Sequence, residues 1–307
     1  MPRGLTLLLS RGATKFPLTL FSGGKSVSGL LIGVVVLLAA LAVAGIVRYL
    51  FFWQAREMPF YPEERILCLA HRGVPSRVPE NTLPAFQEAF KAGVDCVELD
   101  VMETADGVLI VKHDYHLEED TEGNGYVWEL PYAAIADLNA AHRWGGKFPP
   151  TRIPRLEDIL KVLPEDVFIN IELKIRRWFN PGFEEKVIAM IRQYYLVKRT
   201  IVSSFSPLSL LKVRRLEPEL AIGYIWRDTH VPWYLRRPYF VNLVHPDVLH
   251  PHVIVTTPET VDKTHRRGMK VNVWTVNNRP MIQYLKSIGV DGIFTDFPEL
   301  VLQADRA

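Results

Sequence analysis

The chain has 307 residues, 48% of them apolar and 23% charged, which suits one large folded core with appendages and excludes disorder on a large scale. Its net charge of +2 is unevenly spread, because residues 1 to 52 carry Arg3, Arg11, Lys15, Lys25 and Arg48 with no acid. Subtracting those five from the 36 basic residues leaves 31 against 34 acidic ones, so the remainder is slightly acidic and a general nucleic-acid-binding surface is excluded.

Residues 1–28 form a basic N-terminal tail. From Gly29 the sequence runs almost without polar side chains to Phe52, long enough to cross a hydrocarbon layer of about 30 Å as a helix. Arg48 near its end can snorkel, and Tyr49, Phe51, Phe52 and Trp53 supply an aromatic belt. Residues 29–53 are therefore expected to be a transmembrane helix in the lipid bilayer. Basic residues ahead of the span place the N-terminus in the cytoplasm and the large domain on the extracytoplasmic side. A cleaved signal peptide is the competing reading, since Ala42-Val43-Ala44 before Gly45 resembles a processing site. Either version exports the domain. Residues 54–65, polar and with two prolines, are expected to be a linker.

From residue 66 to 307 strand and helix signals alternate, as in a parallel sheet covered by helices. Strand signals begin at Ile66, Val94, Val108, Val167, Thr200, Leu220, His252, Lys270 and Gly292. The turn Thr104-Ala105-Asp106-Gly107 makes the third run a hairpin return. Dropping either that run or the weaker one near His252 leaves eight, the number of an α/β TIM-type (β/α)8 barrel. Chemistry in such barrels sits at the C-terminal strand ends. Cys68 and Cys96 lie inside strand signals and read as buried thiols, with a disulfide between neighbouring strands as the alternative.

Polar groups converge at those strand ends. Glu98 and Asp100 share one strand face, and counting back through the hairpin sets them opposite Lys112 to Asp114, near His113. Carboxylates pressed together repel unless a cation fills the gap, and a hard ion such as Mg2+ or Ca2+ suits oxygen ligands. An isolated Glu-x-Asp is also a common solvated strand end. Glu172 and Lys174 close the run FINIELK with shared parity, either as a structural ion pair or as part of the same mouth.

The ordered set His71-Arg72-Gly73, Pro79-Glu80-Asn81-Thr82, Glu98-Leu99-Asp100-Val101, Thr104 with Asp106-Gly107, and His113-Asp114 resembles the glycerophosphodiester phosphodiesterase family. The likeness continues through Glu172-Leu173-Lys174, Trp274-Thr275-Val276-Asn277 and Gly292-Ile293-Phe294-Thr295-Asp296, covering nearly everything from Ile66 onward. The resemblance implies a TIM-type barrel, a single divalent cation held by Glu98, Asp100 and Glu172, and His71 and His113 as proton-transfer groups. It implies attack by the neighbouring glycerol hydroxyl on phosphorus, giving a cyclic phosphate that water opens. Arg72 and Lys174 are expected to bind the phosphate, with Trp274 as a substrate wall and Glu80 supporting the site. Asn81 is either a helix cap or a substrate contact. The family's usual Arg-Thr-Thr run after the histidine is replaced by Glu119-Asp120-Thr121, an acidic loop that must turn outward beside an anionic substrate.

The expected reaction is metal-dependent hydrolysis of a glycerophosphodiester to glycerol 3-phosphate and an alcohol. The alternative is a lysophospholipase D acting on a lysophospholipid substrate. Two loops that mix basic and aromatic residues motivate it, Arg176-Arg177-Trp178-Phe179 and Trp233 to Phe240. A membrane-tethered binding module without catalysis is the third reading, and no protein partner is indicated.

Overall fold

The structure is a computed structural model and describes residues 24–58, 60–175 and 181–304. It divides into two compact units, Met1–Arg48 and Tyr49–Ala307. In the first, the described residues belong to a helix, α1 (Gly24–Phe51), whose segment Gly29–Phe51 has mean hydropathy 3.1 and buries none of its length. It is long and apolar enough to cross a membrane, a test that a signal sequence also passes.

Among its described residues the second unit holds nine strands: β1 (Leu67–Ala70), β2 (Cys96–Glu103), β3 (Leu109–Val111), β4 (Phe168–Leu173), β5 (Thr200–Ser204), β6 (Ala221–Trp226), β7 (Val248–Pro251), β8 (Lys270–Val273) and β9 (Gly292–Thr295). Eight are parallel, and β1 closes the ring by pairing with both β2 and β9. The ninth, β3, returns antiparallel along β2 with Val101 opposite Val111, after a turn in which the Gly107 amide donates to the Thr104 carbonyl at 3.0 Å. The surplus run is therefore the hairpin, and the weaker run belongs to the barrel as β7, which starts at Val248 and ends before His252. The result is a TIM-type barrel.

Around it lie α2 (Leu83–Ala92), α3 (Tyr132–Ile135), α4 (Leu156–Leu160), α5 (Phe183–Gln193), α6 (Pro207–Leu216), α7 (Val241–Val244), α8 (Pro258–His265), α9 (Arg279–Ser287) and α10 (Pro298–Ala304). Four of these start by one device, a capping side chain with proline in the first turn, where a missing N–H costs nothing. Thr82, Ser206, Thr257 and Asn278 accept from Ala85, Ser209, Thr260 and Met281 amides respectively. Alternate residues of each strand, such as Val97, Leu99 and Val101, face the helices in the main apolar core.

A second device fixes strand register at the lower end. Asp95, Asp247 and Asp291 each precede a strand and accept the amide of the neighbouring strand's second residue, from Cys68, Ile222 and Val271, all at 2.9 Å. Arg65, Arg214 and Lys270 supply the countercharges. Residues 53–58 and 60–61 run beneath this end. The Ala55 amide donates to the Arg267 carbonyl, Trp53 stacks on His245, and Met58 and Tyr61 are buried with Leu67, Val248 and Phe294. The Asn272 side-chain amide donates to the Tyr61 hydroxyl at 2.7 Å inside the barrel.

Cys68 and Cys96 are both buried thiols, packed as small apolar side chains without a disulfide. The excursion between β3 and β4 has its own small core of Met102, Ile110, Leu117, Val127, Ile135 and Ile153.

Candidate active site

Strand parity builds the acidic centre. Asp100 lies opposite Glu172 in the β2–β4 register and Glu98 opposite Asn170, so three carboxylates enter the upper barrel from two adjacent strands. Ligand oxygens of Glu98, Asp100 and Glu172 lie within 4.8 Å of one another, and the first two residues are buried. Burial, with Asp100 and Glu172 beside it, pushes the Glu98 carboxyl well above its usual range. Burial would raise Asp100 too, but Lys174, Arg72 and His113 hold it well below. One oxygen of Asp100, Oδ1, has no hydrogen-bond partner although it is buried; Lys174 Nζ stands 3.6 Å away. An all-oxygen set that is crowded and anionic, with an orphaned buried acceptor, fits a hard divalent cation.

Arg72 follows β1 with φ of +54°. That conformation turns its amide onto Glu98 Oε2 at 2.9 Å while its guanidinium donates to Glu80 Oε1 at 2.8 Å, with Nε 3.3 Å from Asp100 Oδ2. Burial opposes its charge, yet Asp100, Glu80 and Glu98 together raise its pKa. Gly73 makes this turn feasible: its φ is +87°, and a Cβ there would come within 2.7 Å of Ala85 on α2. Lys174, 3.2 Å from Glu172 Oε1, is likewise raised by Glu172 and Asp100 against burial.

Both histidines carry a carboxylate behind them. His71 Nδ1 lies 2.7 Å from Asp296 Oδ1, and Asp296 Oδ2 accepts from Asn277 Nδ2 at 2.6 Å. His113 Nδ1 lies 2.9 Å from Asp114 Oδ1, and that contact lowers Asp114 to about 2. Neither Asp296 nor Asn277 was assigned a role from sequence.

Asn81 is not the cap of α2. Thr82 caps α2, while Asn81 is buried with its Nδ2 on Asp100 Oδ2 at 2.9 Å. Glu80 holds Arg72. Trp274 follows β8, its Nε1 donating to the His250 carbonyl at 2.9 Å, and lines an open groove of about 650 Å³ with His71, Arg72, His113, Glu172 and Lys174. Below it a smaller pocket of about 30 Å³ reaches Asn170, Ser203 and His250, whose ring fits only because residue 223 is glycine. Burial lowers His250 to about 3, keeping it neutral.

The acidic loop is neutralised within the excursion: Asp120 pairs with the buried Lys112, and Glu119 with Arg143 at 2.8 Å. Of the two rim loops, the first falls at residues 176–180, outside the described residues. In the second, Tyr234 and Leu235 line the groove, while Trp233 and Tyr239 are exposed.

A family model described as the glycerophosphoryl diester phosphodiesterase family matches residues 71–300. The chain belongs to this family. It is accordingly a phosphoric diester hydrolase, and the family generally binds a divalent metal. A glycerophosphodiester phosphodiesterase of Caldanaerobacter subterraneus subsp. tengcongensis is 36% identical over 244 residues, covering 79% of this chain and 98% of the relative. The solved phosphodiesterase of Oleispira antarctica, in complex with its product sn-glycerol-3-phosphate, superposes with a TM-score of 0.68 at 29% identity, covering 81% and 98% of the two chains. A glycerophosphodiester phosphodiesterase from Agrobacterium tumefaciens gives 0.65 at 27% identity, covering 79% and 99%.

Proposed function

We propose that this member of the glycerophosphoryl diester phosphodiesterase family hydrolyses glycerophosphodiesters to glycerol 3-phosphate and an alcohol, with one divalent cation, Mg2+ or Ca2+, held by Glu98, Asp100 and Glu172. The observation that carries the reading is the juxtaposition of these three carboxylates with two carboxylate-backed histidines around one groove. Bound there, a divalent ion would supply Lewis-acid stabilisation of charge growing on the phosphoryl oxygens. Arg72 and Lys174 face the same anion from the protein side, and neither needs reorganisation, since Glu80, Asp100 and Glu172 already fix them. His71 and His113 hold and move protons at Nε2, because Nδ1 of each is turned to its aspartate.

A lysophospholipid is the second reading, supported by the apolar groove wall of Val231, Pro232 and Leu235. The basic N-terminal residues and the apolar helix support a single-pass membrane anchor with the catalytic domain extracytoplasmic. Resistance to alkaline extraction and protease accessibility from the far side test that; a mature chain starting near Gly45 would defeat it in favour of a signal peptide. Turnover of glycerophosphocholine, glycerophosphoethanolamine and a lysophospholipid, after chelation and with each metal restored, tests the reaction. Equal rates with and without metal would overturn the cation assignment, and a Glu98→Gln protein binding Mg2+ or Ca2+ as tightly as the parent in calorimetry would overturn the ligand set.

A further inference from the structure

We propose that the outer arm of the groove is a leaving-group subsite that prefers alcohols carrying negative charge, with Arg227 as the specificity-determining residue. The inference rests on the phosphodiesterase reading and names which diester the site favours. A groove of about 650 Å³ is far larger than a phosphate and a glycerol require, and its outer arm lies after β5 and β6, beyond Trp274 from the carboxylates. The alcohol part of a diester is the portion left to fill it.

The described cations of the groove divide into two kinds. Arg72 and Lys174 are matched by Glu80, Asp100 and Glu172. Arg227 has no carboxylate within ion-pair distance among the described residues. Its guanidinium touches Thr229 Oγ1 at 3.4 Å, and its Nε is buried with no partner. Asp228, its neighbour in sequence, forms no ion pair with it, and His230 lines the same arm.

The aromatic wall points the same way. The Arg227 guanidinium lies over the Trp274 ring, 5.6 Å from its centroid, and Phe205 meets that indole edge-on at 5.8 Å. Because the indole Nε1 is tied to the His250 carbonyl, the ring cannot turn away freely. An indole that already carries one cation on its face is a poor cage for a second, so a quaternary ammonium is repelled where an aromatic wall alone would attract it. A carboxylate or phosphate on the alcohol finds an unmatched guanidinium instead.

The test compares kcat/KM of the full-length protein on four glycerophosphodiesters, those of choline, glycerol, 3-hydroxypropionate and glycerol phosphate. A unit charge at roughly 6 Å in a solvent-open groove changes binding on the order of tenfold. The two anionic alcohols should therefore exceed neutral glycerol by about tenfold and choline by about a hundredfold, and the ratio should shrink at high salt. Arg227→Met should collapse the ratio and Arg227→Lys should retain most of it. A flat ratio in the parent, or one unchanged in Arg227→Met while all esters still turn over, overturns the subsite and leaves the phosphodiesterase reading standing. Failure of the parent to cleave any of the four overturns both.

Discussion

Replacing Asp296 by Asn tests the reading of His71 most sharply. In the native arrangement Asp296 offers two acceptors to two donors, Oδ1 to His71 Nδ1 at 2.7 Å and Oδ2 to Asn277 Nδ2 at 2.6 Å. An Asn side chain has one oxygen, so one donor must face an amide NH2. Either the Asn277 contact breaks or the imidazole adopts the opposite tautomer and presents an Nε2–H to the substrate instead of a lone pair. A hydrogen bond to a charged group contributes about 1.5–3 kcal/mol, so kcat should fall roughly 10- to 150-fold with KM nearly unchanged. The double variant D296N/N277D separates geometry from charge. The carboxylate introduced at position 277 would accept from the new side-chain NH2 at position 296. Its other oxygen would keep the two donors that Asn277 Oδ1 now takes, the backbone amide of residue 296 and the Thr295 hydroxyl. The amide oxygen introduced at position 296 would then be free for His71 Nδ1. Steady-state kinetics should show at least partial recovery over D296N. A double variant as slow as the single one, with metal binding intact in calorimetry, refutes the tautomer argument.

At the lower end, Asp291 is raised by burial but lowered overall by bonds from His265, Lys270 and the Val271 amide. A depressed folded pKa means stability that is fully present above about pH 4 and lost as pH falls through the folded value. Asp291→Asn should therefore lower Tm at pH 7 by about 4–8 °C, from roughly 2 kcal/mol lost, and the gap should narrow below about pH 4 in thermal scans. Gly73→Ala should displace α2 from the β1 loop and cost about 2 kcal/mol or more, with kcat falling as Arg72 moves; an unchanged Tm refutes the close approach to Ala85. Asp262→Ala, which removes only an exposed pair with Arg266, should shift Tm by less than about 2 °C.

Strand parity put Glu98 and Asp100 on one face, because period-two alternation is enforced wherever one face of a strand meets helices, but it left Glu172 open, and only the β2–β4 register sets Glu172 beside Asp100. The hairpin count worked for the same reason: the Lys112 amide does donate to the Asp100 carbonyl, at 3.0 Å. Contacts that close the barrel were harder. Asp296 and His71 stand 225 residues apart, and only ring closure between β1 and β9 makes them neighbours. Asn81 could not be told from a cap by sequence, since the left-handed turn that hands capping to Thr82 is a product of packing around Gly73. The sign of charge on the acidic loop was plain, whereas its neutralisation by Lys112 required knowing that this lysine is buried.

The packing of Trp53, Met58 and Tyr61 beneath the barrel has a practical bearing on where a fragment lacking most of the apolar helix should be cut. A fragment starting at Ile66, where the first strand signal begins, would uncover Leu67, Val248 and Phe294 and strip the Asn272 amide of its acceptor. Such a fragment is expected to aggregate. One starting at Tyr49, and keeping its phenol on the Leu243 carbonyl, retains the barrel's floor and is the version to express.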